Sequence, residues 1–309
     1  MIDEPILRLH YRGALDWTAA LQFFRRRGVE GVERVDARTY WRTVRLAGAI
    51  GVLSVSCDAN ALTVRVSGAD LPLPQVQDRV RLMFDLDADL PAINAHLGRD
   101  PLMAPLVSLR PAMRVAGGWD PFEIAVRTIV GQQVSVARAR QLNGVLVARC
   151  GATLPRRRGD ASERLCRLFP TPGEVLGADL SSLGMPGARV ASLKTLAAAA
   201  IEREDLFDRG ATLDATIARL RQLRGIGEWT AHYIAMRAFR EPDAFPASDI
   251  GLLRAAADAS GRRPAPAALL GRAEAWRPWR AYAAHHLWAS DSNARDGVSS
   301  EGTDGTLES

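Results

Sequence analysis

The hydrophobic pattern changes period along the chain. Residues Tyr40–Leu46, Ile50–Cys57 and Ala61–Ser67 alternate or are rich in β-branched side chains, and Ala47-Gly48-Ala49 and Asp58-Ala59-Asn60 separate them. This spacing predicts strands joined by short turns in an antiparallel sheet. Asp16 is placed to cap a helix over Trp17–Arg27, and Pro74 opens another that runs to Phe84. A Pro- and Gly-containing stretch from Pro105 to Gly118 predicts a connecting loop. Beyond it the period is helical. Asp120-Pro121-Phe122-Glu123 has the form of a capping box with proline at the first helical position, and Thr171-Pro172-Gly173-Glu174 repeats it. Gly131 ends the first of these helices and Ser135 caps the next; alanine-rich periodic segments follow at 189–202 and 252–257. The pattern predicts an α+β chain. An N-terminal antiparallel sheet with helices spans residues 1–105, and an all-helical region spans 106–289.

The most specific local pattern lies at 212–240. Thr212 is placed as an N-cap with Asp214 in the first turn, and Leu213, Ile217, Leu220 and Leu223 recur at helical spacing. Gly225 and Gly227 stop that helix, because glycine permits positive φ and close backbone approach. A second helix starts near Glu228 and carries Ala231, Ile234, Ala235 and Ala238 on an apolar face. Amides at its N-terminus, beside two glycines, suit a phosphate oxygen and would hold a DNA backbone without reading its sequence. On pattern alone the better reading is an ordinary helix–turn–helix corner of a helical core. On the same footing Asp249, twenty-odd residues on, reads as a helix N-cap before it reads as a catalytic group.

Composition narrows the picture. The chain has 309 residues, enough for about two domains with cores of their own. No apolar run is long enough to span a bilayer and no basic-then-apolar leader opens the chain, which predicts a soluble, cytoplasmic protein. Cys57, Cys150 and Cys166 lie far apart without a CxxC, so neither a disulfide framework nor a zinc site is expected. Net charge is +5; from Ser290 onward five acids stand against Arg295 alone, which is −4 and leaves +9 on residues 1–289. That excess favours phosphate contacts, although Lys194 is the only lysine and arginine richness also follows from genome composition. The stretch 290–309 is rich in Ser, Gly, Asp and Thr and is expected to be disordered.

The longer sequence around the hairpin carries a resemblance. GIGEWTAHYIAMR followed by DAFPASDIGL resembles the helix-hairpin-helix glycosylase superfamily. With DPFEIAVRTIVGQQVS at 120–135, FPTPGEVL at 169–176, LGMPGARVASL at 183–193 and WRPWRAYAAHHLW at 276–288, the chain from about Leu9 to Trp288 is similar to the DNA-3-methyladenine glycosylase II family. The resemblance implies that the sheet precedes a helix-hairpin-helix glycosylase core. It also implies base excision repair by a bacterial, nucleoid-associated enzyme. Such an enzyme would flip alkylated bases (3-methyladenine, 3-methylguanine, 7-methylguanine, and hypoxanthine as a further candidate) out of double-stranded DNA and hydrolyse their glycosidic bonds. Related endonuclease III enzymes hold an iron–sulfur cluster on four C-terminal cysteines; no cysteine follows Cys166, so no such cluster is expected.

The resemblance also distributes roles. Asp249 matches the catalytic aspartate, whose carboxylate would stabilise positive charge on the sugar as the base leaves. Phe23, Trp229, Tyr233 and Trp288 match residues lining or flanking the base pocket, where aromatic faces suit a cationic base. Bifunctional relatives carry a lysine two residues after the second hairpin glycine; here that residue is Trp229, which predicts hydrolysis without strand cleavage. Gly225, Ile226, Gly227, Thr230, Gln132 and Gln133 match DNA-contacting positions. Gln133 falls where the family places a bulky apolar wedge; alternatively Gln132 and Gln133 bridge two helix ends. Main-chain carbonyls of Arg221, Leu223 and Ile226 match those that hold a monovalent cation, Na+ or K+, at the hairpin, and no other cofactor is expected. The adjacent pair His285-His286 points in two directions on a helix and reads as structural rather than as a metal site, and Asp243 reads as a loop cap. The expected partner is damaged duplex DNA, met by a monomer that touches no membrane. Two readings remain open beside this one: a glycosylase of the same superfamily for uracil, hypoxanthine or mispaired adenine, and a non-catalytic hairpin module that binds or senses damaged DNA.

Overall fold

The computed structural model describes residues 4–68, 70–154 and 164–301. Five strands form one antiparallel sheet in the order β1-β5-β4-β3-β2: β1 (Ile6–His10), β2 (Glu33–Val35), β3 (Thr39–Leu46), β4 (Ala49–Cys57) and β5 (Ala61–Ser67). The three central strands lie where the alternation predicts them. The two edge strands are too short, and β2 too charged, to show in the pattern. Register pairs Tyr40 with Val55 and Val55 with Val64, so one face presents an unbroken apolar row.

Two helices cover that face, α1 (Trp17–Arg27) and α2 (Leu73–Phe84). The Asp16 carboxylate accepts the Ala19 amide at 2.9 Å and fixes the start of α1. Phe24 of α1, Tyr40 of the sheet and Phe84 of α2 meet with ring centroids 4.8–6.0 Å apart, forming the aromatic centre of this core.

The remaining helices are α3 (Leu90–Leu97), α4 (Met103–Leu109), α5 (Pro121–Val130), α6 (Val136–Cys150), α7 (Pro172–Gly177), α8 (Gly187–Glu202), α9 (Leu213–Arg221), α10 (Glu228–Ala238), α11 (Ile250–Ala255), α12 (Pro266–Ala273) and α13 (Arg280–Glu301). The expected loop from Pro105 is therefore helical as far as Leu109. Pro105 falls in the first turn of α4, where its missing N–H leaves no bond unmade. The two cores interleave rather than meeting at residue 105: Leu90, Ile93, Leu97, Met103 and Val107 pack with the helical core, whereas Trp119 returns to the sheet core.

Asp120 caps α5 through the Glu123 amide at 3.1 Å, but Glu123 does not close the predicted box. Its carboxylate is buried instead against Arg42 of β3 at 2.8 Å and Arg127 at 2.6 Å. Arg127 also reaches Glu33, whose carboxylate takes the Tyr40 hydroxyl at 2.6 Å. A buried ion network thus ties sheet to helices, and its pull on Glu123 exceeds that of a cap. Thr171 and Glu174 do close their box at α7.

Helix α13 continues to Glu301, through the first part of the stretch expected to lack structure. Arg254 of α11 grips Asp291 with two hydrogen bonds, at 2.8 and 2.6 Å, which holds the helix past Trp288. Once nucleated, a helix propagates through residues of mediocre propensity. Residues 302–309 of that stretch lie outside the described residues. Among the described residues no helix is long and apolar enough to cross a membrane.

Candidate functional site

The hairpin is built as its residues predict. Thr212 accepts the Ala215 amide at 3.1 Å and starts α9. Leu220, Leu223 and Ile226 are buried beneath the turn, and the Ile226 amide closes it by donating to the Leu223 carbonyl at 3.0 Å. Gly225 has φ +88°, and a Cβ there would stand 1.9 Å from Ser192 Oγ on α8. Only glycine meets both demands. Gly227 is the N-cap of α10, with no side chain bonded across it and open space where a Cβ would stand. No side chain caps the first amides of α10. Arg221 ends α9, where carbonyls lack intrahelical partners, and Leu223 keeps one lone pair beyond its turn bond. Hard main-chain oxygens of this kind suit a monovalent cation.

Gln132 and Thr230 are oriented differently from expectation. Gln132 Nε2 donates to the Gly225 carbonyl and to Thr230 Oγ1, both at 3.0 Å, and Thr230 is buried. The third residue of α10 points inward, so these two side chains meet each other and brace the hairpin against the end of α5 instead of facing outward. This is the helix-end bridge weighed above, made by Gln132 alone. Gln133 is exposed in the loop before α6 at φ +56°, a left-handed conformation uncommon for a non-glycine residue.

Asp249 caps α11 and accepts the Leu252 amide at 3.0 Å on Oδ1. It is not only a cap. Trp229 Nε1 donates to Oδ2 at 2.9 Å, and Trp288 Nε1 donates to Oδ1 at 2.8 Å. One half-buried carboxylate thus draws together α10, α11 and α13. Three neutral donors fix the orientation of the carboxylate. Gly251 makes room for this arrangement: a Cβ there would lie 3.0 Å from Asp249 Oδ1 and 3.1 Å from Trp288 Cδ1.

Trp229, Tyr233 and Trp288 cluster beside the carboxylate. Trp229 stacks on Tyr233, with centroids 5.3 Å apart and planes 18° apart; Tyr233 meets Trp288 at 5.9 Å. Phe23 of α1 stands one layer further back. The Arg237 guanidinium, buried, lies 4.6 Å from the Phe23 ring centre, 5.3 Å from Tyr233 and 5.9 Å from Trp288, and Arg27 lies 4.2 Å from Phe23 on its own helix. Burial raises the Tyr233 phenol, but Arg237 and Arg27 outweigh it and hold the group below its ordinary range. Neither arginine stands out in the sequence as part of the site. The four-residue spacing of Trp229, Tyr233 and Arg237 was the available signal.

The surroundings are structural. Asp243 pairs with Arg280 at 2.7 Å and with Arg277, which anchors the loop before Asp249. His232 Nδ1 accepts the Phe245 amide at 3.2 Å, and burial lowers its pKa. His285 Nδ1 pairs with the Ala281 carbonyl at 2.8 Å, its ring edge-on to Trp288 at 5.3 Å. Burial holds His285 well below the usual imidazole range and brings His286 to about 4. Cys57, Cys150 and Cys166 are free.

Fold and hairpin are those of the helix-hairpin-helix class, here with an antiparallel sheet ahead of the helices. Residues 6–120 match the AlkA N-terminal domain family. DNA-3-methyladenine glycosylase 2 of Escherichia coli is 32% identical over 291 residues, covering 92% of this chain and 96% of that protein. A Mycobacterium tuberculosis protein described as a probable bifunctional transcriptional activator/DNA repair enzyme AlkA is 35% identical over 285 residues. The match takes in 92% of this chain but 56% of that protein, so the chain spans about half the length of this relative. The fold is also that of the 3-methyladenine DNA-glycosylase from Archaeoglobus fulgidus, with TM-score 0.79, 21% identity and coverage of 93% and 98% of the two chains. The chain belongs to the DNA-3-methyladenine glycosylase 2 (AlkA) family.

Proposed function

We propose that the protein is a monofunctional DNA glycosylase of base excision repair that removes alkylated bases of the 3-methyladenine, 3-methylguanine and 7-methylguanine type from double-stranded DNA. The observation that carries this reading is Asp249, fixed by two indole N–H groups beside an aromatic cluster and next to the hairpin. The hairpin amides of residues 225–227 would take a DNA phosphate, with Na+ or K+ held by the carbonyls of Arg221, Leu223 and Ile226. Gln133, exposed at the loop before α6, would fill the gap left by the flipped base. The base would enter beside Trp229 and Trp288. Asp249 would then stabilise positive charge on the sugar and orient the attacking water, leaving an abasic site. An alkylated cationic base is already a good leaving group, so no strong general acid is needed. With Trp229 at the position of the lyase lysine, no Schiff base forms. The protein would act as a monomer.

The test is base release from methylated duplex DNA by wild type and Asp249→Asn, with strand integrity read before and after alkali. Release by wild type alone, with breaks only after alkali, is the expected result. Breaks before alkali would overturn monofunctionality. Tight DNA binding without release would overturn the enzyme reading in favour of a binding module.

A further inference from the structure

Helix α10 places Trp229, Tyr233 and Arg237 four residues apart on one face. Their side chains follow one another in order: Trp229 on Tyr233 at 5.3 Å, Tyr233 beside the Arg237 guanidinium at 5.3 Å. Helix α1 extends the column with Phe23, 4.6 Å from that guanidinium, and Arg27, 4.2 Å from Phe23. One end meets Asp249 through the Trp229 indole. The column therefore alternates rings and permanent cations behind the carboxylate.

Arg237 is the unusual member. It is 4% exposed, its Nη1 donates to the Ala116 carbonyl at 2.5 Å, and its Nε has no partner. Among the described residues it forms no ion pair with a carboxylate. Burying a guanidinium without an anion is costly, even when ring faces offset part of the loss. Burial lowers its pKa to about 10, which still leaves it charged at neutral pH. A methionine of similar length would fill the space without that cost.

We propose that Arg237, backed by Arg27, is a specificity-determining residue: its fixed positive charge behind the aromatic wall favours bases that depart with negative charge over bases that are already cationic. The proposal rests on the glycosylase reading above. When the C1′–N bond breaks, its electron pair goes to the base nitrogen and the water oxygen bonds to C1′. The proton that water gives up goes to a departing anionic base, or to solvent when a cationic base leaves neutral. In both courses the base becomes one charge unit more negative, so a cation behind the filled pocket favours bond breaking alike; the difference lies in filling the pocket, which the cation opposes for a base that is already positive and not for a neutral one. Arg237 thus widens the substrate range toward neutral purines with damaged or deaminated rings.

The experiment is single-turnover excision, at enzyme well below half-saturation so that the rate includes filling of the pocket, of 7-methylguanine (cationic) and hypoxanthine (neutral) from matched duplex oligonucleotides. Wild type, Arg237→Met, Arg237→Lys and Arg27→Met are compared, with folding followed by thermal melting. A unit charge roughly 10 Å away at an effective permittivity of about 20 is worth about tenfold. Arg237→Met is expected to lower the hypoxanthine rate about tenfold relative to 7-methylguanine, and Arg237→Lys to keep the wild-type ratio. Arg27→Met, at the outer end of the column, should shift the ratio in the same direction by less, and it supplies the answer if Arg237→Met does not fold. An unchanged ratio in both methionine variants overturns the proposal while leaving the glycosylase reading intact. Wild type that excises neither base overturns both.

Discussion

The Trp288 indole donates to Asp249 across 39 residues of sequence, at 2.8 Å, and Trp229 reaches the other carboxylate oxygen from 20 residues away at 2.9 Å. Both rings therefore act on the carboxylate as well as packing against Tyr233. The two roles separate by substitution. Trp288→Phe keeps a ring and removes the donor, and it is expected to lower the excision rate about tenfold with little change in DNA affinity. Asp249→Asn should cost about a hundredfold or more in rate, because the amide cannot stabilise positive charge on the sugar. Single-turnover rates on a methylated duplex and binding isotherms on the matching abasic-analogue duplex distinguish the two effects. A Trp288→Phe variant that lost affinity and kept its rate would show that the indole serves binding and that its N–H on Asp249 does not serve the rate.

The hairpin turn is a second point of sensitivity. Gly225→Ala places a Cβ at φ +88° and against Ser192 Oγ, with Ser192 Cβ only 2.6 Å away. Strain and overlap together should destabilise the protein by about 2–3 kcal/mol. Ser192→Gly in the same chain would relieve the overlap but not the dihedral strain, so partial recovery is expected. Denaturant unfolding of the single and double variants gives the split.

The network of Arg42, Glu123, Arg127 and Glu33 joins the sheet to α5, and Arg42, Glu123 and Glu33 are almost fully buried. Glu123→Ala leaves Arg42 uncompensated and should cost about 3–5 kcal/mol. The network also sets a pH dependence. Burial alone would raise the Glu33 carboxyl, but Arg127, Arg42 and the Tyr40 hydroxyl outweigh it and hold the pKa below its ordinary 4.5. A carboxyl with a lowered folded-state pKa contributes stability that is fully present above the unfolded value. That contribution is lost as pH falls from about 4.5 through the folded value. Stability measured over that interval should fall in wild type and fall less steeply in Glu33→Gln.

What the sequence made legible is what local chemistry decides. Asp16, Ser135, Thr171 and Thr212 cap the helices they precede, because an N-cap bond spans three residues. The three long strands followed their alternation. Glu123 shows the limit: its sequence context specifies a capping box, but a partner 81 residues away on β3 takes its carboxylate. Gln132 and Thr230 show the same at the site, since a hydrogen bond spanning 98 residues leaves no mark in either neighbourhood. Arg237 was hidden for a different reason. On α10 it looks like a basic residue in the last turn, and only the approach of Phe23 from α1 turns it into a buried cation. Asp249 became a candidate through resemblance, and only the fold brings both indoles to it.

His286 offers a test of helix α13 that is independent of the site. It is buried in the helical core, and its Nδ1 has no partner. Burial, helped by the nearby Arg110 charge, lowers its pKa from 6.5 to about 4. The unfolded chain therefore binds a proton on this group at a pH where the folded chain does not. The sign follows from linkage: stability is fully present above about 6.5 and falls as pH drops toward 4, by about 3 kcal/mol from this group if it titrates alone. His286→Leu removes the titrating ring and the unpartnered nitrogen while keeping a buried apolar side chain at that position. The variant should show a flatter stability profile between pH 6.5 and 4, and near pH 5 it should be at least as stable as wild type. Parallel urea titrations across that range would read it directly. A wild-type profile as steep in His286→Leu would move the dependence to His285, the preceding residue of the same helix, which burial and the Arg237 charge hold well below the usual imidazole range.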